Sequence, residues 1–198
     1  MNKKMIALII VIVAVIGIYG AFYAAVTTVL MPNDLNAFKN ELDAASQNQI
    51  SASDIAQIEN AAATVENSPL SYMSQSQRTN VANEMRNSNN IPPGLLNQDF
   101  KAYGTFNYYK ALAYTLALKG DLSSEISNLS SNYEEINSLS SQMISITQKS
   151  ATDFENGDNK AYADDLRSTA NLMKQYNNKM EVLKNNLQNI VDKLSNEK

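Results

Sequence analysis

Between Lys4 and Asp34 the chain carries no charged residue, and the run "MIALIIVIVAVIGIYGAFYAAVTTVLMP" at 5–32 is apolar almost throughout. Few environments accept such a stretch. A bilayer does, because its hydrocarbon core needs about 20 apolar residues as a helix. Residues 5–31 meet that length and can span with some tilt. Lys3 and Lys4 precede the run, so the basic end is expected to stay in the cytoplasm and everything after Pro32 to lie outside. Tyr19, Phe22 and Tyr23 fall toward the outer end, where amphipathic rings prefer the membrane–water boundary.

A cleavable signal peptide is the rival reading. Cleavage needs small residues at −3 and −1. Cuts after Ala21, Ala24 or Ala25 would place Tyr19, Phe22 or Tyr23 at −3, and the apolar run continues past each site. A retained single-pass anchor is therefore expected, contacting membrane lipid through residues 5–31. Gly17, Ala21 and Ala25 recur every four residues, a spacing that lets two membrane helices approach closely. It is compatible with a homo-oligomer, although small residues are common in such helices anyway.

The charge balance narrows the partners. The 198-residue chain has 16 Lys+Arg against 20 Asp+Glu, and setting Lys3 and Lys4 aside leaves 14 against 20. Nucleic acid is not an expected partner, since its binding rests on basic contacts to phosphate. Cys, His and Trp are absent. The outer part thus has no disulfide framework and must be held by apolar packing. Most zinc and iron sites, thiol nucleophiles and histidine-based triads are removed at a stroke. No catalytic residue, metal or cofactor is expected, and the chain is not expected to be an enzyme.

Apolar residues after Pro32 follow helical spacing. Leu35, Phe38, Leu42 and Ala45 share one face, and Ile55, Ile58, Ala62 and Val65 another, with Ser51 and Asp54 as a capping pair. Ser68-Pro69 reads as the start of a further helix carrying Leu70, Met73, Val81 and Met85. "NSNNIPPGLLN" at 87–97 stops it. A helix is expected over 98–119, ended by Gly120, with Asp121 capping the next.

The longest pattern follows. Leu122, Ile126, Leu129, Tyr133, Ile136, Ser140, Met143, Thr147, Ser150 and Phe154 alternate spacings of four and three. Tyr162, Leu166, Thr169, Met173, Tyr176, Met180, Leu183, Leu187, Ile190 and Leu194 keep the same rhythm. This is the seam of a coiled coil. Gly157 is placed to turn the chain and Asp158 to cap the second helix. Folded as an antiparallel hairpin, the seam sets Ile136 against Met180, Met143 against Met173 and Phe154 against Tyr162.

The expected fold is all-α: an N-terminal transmembrane helix, then an extracytoplasmic helical bundle built on a long antiparallel coiled-coil hairpin. By segment this gives an anchor at 1–31, short helices at 32–96, and a bundle at 97–198 with its hairpin at 121–156 and 158–196. An anchor followed by an outer helical bundle resembles the sensor half of chemoreceptor-type proteins, in architecture alone.

Candidate sites are sparse. "FKAYGTFNYYKALAY" at 100–114 gathers Tyr103, Phe106, Tyr109 and Tyr114, which could line a pocket for a ring-bearing or apolar ligand. The simpler reading is a bundle core with phenol hydroxyls at its edge. "DFENGDNKAYADD" is too irregular for a calcium loop and reads as a solvated acidic turn. Asn128 begins the one N-glycosylation sequon, which matters only if it lies outside the cell. The function expected is that of a non-enzymatic cell-envelope scaffold or partner-binding module, with a protein partner of unknown identity. The alternative is an extracytoplasmic small-ligand binding or sensing domain using the aromatic cluster.

Overall fold

The structure, a computed structural model, describes residues 3–68, 70–87, 114, 116 and 122–195. The boundary expected at 87–97 and most of the helix expected over 98–119 lie outside these residues; Tyr114 and Leu116 of that helix are described and helical. Helices account for nearly all of the described chain, with no strand among them. They are α1 (Lys3–Ala25), α2 (Met31–Gln47), α3 (Ala52–Asn67), α4 (Gln75–Asn87), α5 (Ser123–Asn156) and α6 (Asn159–Ser195), with short π and 3-10 pieces at Val26–Leu30 and Leu70–Tyr72.

Pro32 does not stop the helix that precedes it. Proline lacks an N–H, so the Thr28 carbonyl four residues back loses its α-register donor, and the ring crowds it. The helix answers by widening just upstream. Met31 N–H bonds to Val26 O, five residues back, closing a π turn that joins α1 to α2. The Thr27 hydroxyl donates to Tyr23 O at 2.9 Å and the Thr28 hydroxyl to Ala24 O at 2.6 Å. α1 and α2 are one continuous rod with a bulge.

Two compact units emerge, each assembled from separate stretches: Met1–Leu42, Phe100–Asn128 and Asn186–Lys198 in the first, Asp43–Asp99 and Leu129–Asn185 in the second. α2, α5 and α6 each contribute to both. One N-terminal helix is long and apolar enough to cross a membrane. In the first unit, burial begins at Val26 and includes Met31, Leu35, Phe38, Leu122, Leu187, Ile190 and Leu194. Fully burying side chains of this size stabilises by about 1.5–3 kcal/mol each. Lys193 Nζ meets Glu125 Oε1 at 2.5 Å.

In the second unit, α3 runs beside α6. Lys174 pairs with Glu59, and Arg167 with Glu66 one turn pair further on. The Asn177 side chain holds both backbone groups of Ile50, accepting from its N–H at 2.8 Å and donating to its O at 2.6 Å. Ser51 caps α3 by accepting from Asp54 N–H at 3.0 Å. The helix expected from Pro69 begins instead at Gln75, because Ser74 and Gln77 form a capping box: Ser74 Oγ accepts from Gln77 N–H, and Gln77 Oε1 from Ser74 N–H.

Between α5 and α6 the chain turns at Gly157, whose φ is +75°. Gly157 N–H bonds to Phe154 O and Asp158 N–H to Asp153 O, both at 3.0 Å, the paired bonds of a Schellman end. Asp158 Oδ1 then accepts from Ala161 N–H at 3.0 Å and caps α6. Beyond the turn, Phe154 and Tyr162 meet edge to face at 5.1 Å, Lys149 pairs with Asp165, and Lys179 with Glu135.

Burial along α5 follows the expected stripe at Leu129, Tyr133, Ile136, Ser140, Met143, Ser150 and Phe154. On α6 the stripe holds from Tyr176 onward, but nearer the turn Ala163 and Ala170 are buried while Leu166, Thr169 and Met173 are only half-buried. α3 is tied along this stretch of α6 through Arg167 and Lys174, four residues after Ala163 and Ala170 and so on the same side of the helix.

Candidate functional site

The residues expected to form an aromatic pocket divide by location. Tyr103, Phe106 and Tyr109 lie outside the described residues. Tyr114 is fully buried in the first unit, and its hydroxyl donates to Asp34 Oδ2 at 2.8 Å. Burial, with Asp34 beside it, pushes the phenol above its ordinary range, so it remains a neutral donor. Asp34 is itself buried and sits one turn beyond the π bulge. The pair fixes the start of α2 against the segment bearing Tyr114. Leu116 O accepts from the Tyr19 hydroxyl at 2.9 Å and ties the same segment to α1. Neither bond was legible in the sequence, where Asp34 marked only the first charge after the apolar run.

The first unit also holds a cleft of about 280 Å³ lined by Tyr23, Thr27, Thr28, Met31, Pro32, Leu35 and Leu194. Its walls come from the end of α1, the bulge, the first turns of α2 and the last turn of α6. Asn128 is exposed on α5. Gly17, Ala21 and Ala25 are exposed too, and among the described residues nothing lies within 4 Å of where a Gly17 Cβ would sit.

The second unit holds the polar clusters. The acidic turn is not simply solvated, as its composition suggested. Lys149 Nζ bridges Asp153 at 2.9 Å and Asp165 at 2.6 Å, and Asp165 is buried with no partner for Oδ2 among the described residues. Burial pushes the Asp165 carboxyl above the usual carboxylate range, outweighing the pull of Lys149. Lys149 holds Asp153 below that range, and the two carboxylates together raise the lysine. An open groove of about 320 Å³ lies where Glu135, Ser138, Leu139, Gln142, Gln175, Asn178 and Lys179 meet. Its Glu135 and Lys179 already neutralise each other. Among the described residues, no three carboxylates converge as a metal ion would need.

Chemically, these arrangements bind and brace. The Tyr114 hydroxyl and the Lys149 ammonium are both spent on partners within the chain. Comparison with family models, curated proteins and solved structures finds no match.

Proposed function

We propose that this chain is a single-pass membrane protein of the cell envelope, its N-terminus cytoplasmic and its helical part outside, that works by contact rather than by catalysis. The observation that carries this is the continuity of α1 through the π turn into α2. An apolar helix able to cross a membrane is built into the folded part without a flexible joint, as suits a presenting scaffold.

The second element of the reading is an antiparallel coiled-coil hairpin made by α5 and α6. Its support is the two-residue turn at Gly157 and Asp158, the burial of the stripe on α5 and of the stripe on α6 from Tyr176 onward, and pairs that step away from the turn on both helices. A protein partner is the proposed ligand of its exposed faces. Tyr114 supports the core reading of the aromatic stretch over the pocket reading, since its ring is sealed and its hydroxyl taken.

The chain has no cysteine, so one introduced at exposed Ser145 is a unique label. A membrane-impermeant maleimide should modify it on intact cells. Modification only after lysis would overturn the orientation. Chemical cross-linking on native membranes should join the chain to a distinct protein, and a chain that stays uncross-linked would remove the contact role.

A further inference from the structure

Exposed large apolar side chains among the described residues concentrate in the first unit: Val15, Ile18, Tyr19, Tyr23, Val29 and Leu116 are all open. Leu116 is 55 % exposed although its carbonyl holds the Tyr19 hydroxyl, so the segment bearing it stands at the level of the outer part of α1. Val29, at 57 %, is exposed beyond the π turn's start, where the buried core has already begun with Val26. So many exposed apolar side chains in one unit need cover, and on the membrane-anchored reading the bilayer supplies it.

The cleft opens on that boundary. We propose that the space between Tyr23, Thr27, Thr28, Met31, Leu35 and Leu194 is a lipid site that takes one acyl chain from the outer leaflet. The proposal rests on the membrane-anchored reading and adds to it a specific, seated lipid.

The walls suit a hydrocarbon. The Thr27 and Thr28 hydroxyls are turned onto their own helix, donating to Tyr23 O and Ala24 O, and so ask nothing of an occupant. Pro32, Met31 at 3 % exposure and Leu35 at 6 % form the apolar rest, with wholly buried Leu194 behind them. At about 280 Å³ the cleft is smaller than the roughly 300–1,000 Å³ that encloses a whole small molecule. It fits a segment of a chain whose remainder stays in the bilayer. The π turn supplies Thr27 and Thr28 to the lining, at the depth where the buried core begins with Val26.

The test uses the full chain in liposomes of phosphatidylcholine carrying a photoactivatable diazirine in one acyl chain. Irradiation should label Tyr23, Thr28 and Pro32 on the rim of the cleft and, more tellingly, Leu35 within it. Thr27→Phe and Thr28→Phe each place a ring in the cleft. Both should lower labelling of Leu35 by about tenfold, as expected when roughly two methylenes lose an apolar seat, with labelling at 9–16 unchanged. Circular dichroism selects the variant that keeps its helix. Label along 9–16 but not at Leu35 overturns the lipid site and leaves the anchor intact. Labelling of Leu35 that both filled variants retain shows mere surface contact and also overturns it. A chain that stays in the aqueous phase and takes no label anywhere overturns the anchored reading itself.

Discussion

Arg78 donates through Nε to Glu155 O at 3.1 Å and through its terminal nitrogens to Met73 O and Gln75 Oε1 at 2.7 Å. It thereby closes the C-terminal end of α5 and the entry to α4 at once. Its guanidinium also lies 3.3 Å from where a Gly157 Cβ would sit. Arg78→Met should cost about 2–3 kcal/mol, as half-buried carbonyls lose a charged donor. Gly157→Ala should cost about 1–2 kcal/mol for its left-handed φ. Chemical unfolding of the two single variants and the double should show less than additive loss, because the added methyl crowds the guanidinium that Arg78→Met removes. Asp165 allows a pH test. Its folded pKa is raised, so its favourable contribution is present below the ordinary carboxylate value of about 3.9 and lost as pH rises through the raised value. Asp165→Asn should therefore gain stability relative to the parent as pH rises from 4 to 7 in thermal melts. A relative loss over that interval would show that the Lys149 pair outweighs burial. Gly157 and Asp158 were legible in the sequence because caps are local. Arg78 and Asp165 were not, since only packing decides which carbonyls or apolar walls a charged group meets.

Elements show the same division. The 3.5-residue repeat marked both long helices, and their buried stripes largely follow it. The proposed hairpin predicts that cysteine pairs at Met143 and Met173, and at Ile136 and Met180, oxidise readily, with Cα atoms within about 7 Å. Moving one partner by a turn, about 5.4 Å, should abolish the bond on non-reducing gels. Equal cross-linking in the shifted register would remove the hairpin. Pro32 illustrates how a local rule yields. Read alone it ends a helix, but an upstream π turn with threonine hydroxyls folded back lets the backbone continue.

At the scale of the whole molecule, the prediction is retention. Intact-mass measurement of the mature chain should find residues 1–31 present, and alkaline washing should leave it in the membrane fraction. A mass lacking the first 20 to 30 residues, the length of a typical signal peptide, would show cleavage instead. The two compact units are discontinuous in sequence, each drawing on α2, α5 and α6. No composition shift marks such units, because a long helix looks the same on either side of the boundary.

The sequence by itself determined the apolar N-terminal helix, the all-helical class, the cap of α3 and the turn after α5. Each depends on residues within a few positions of one another, or on a period repeated many times. Tertiary structure alone decided that Asp34 holds Tyr114, that Asp165 is buried beside Lys149, and that alanines replace the expected seam residues where α3 lies along α6. These depend on which helix is the neighbour, and many helices of similar amphipathic pattern could have filled that place.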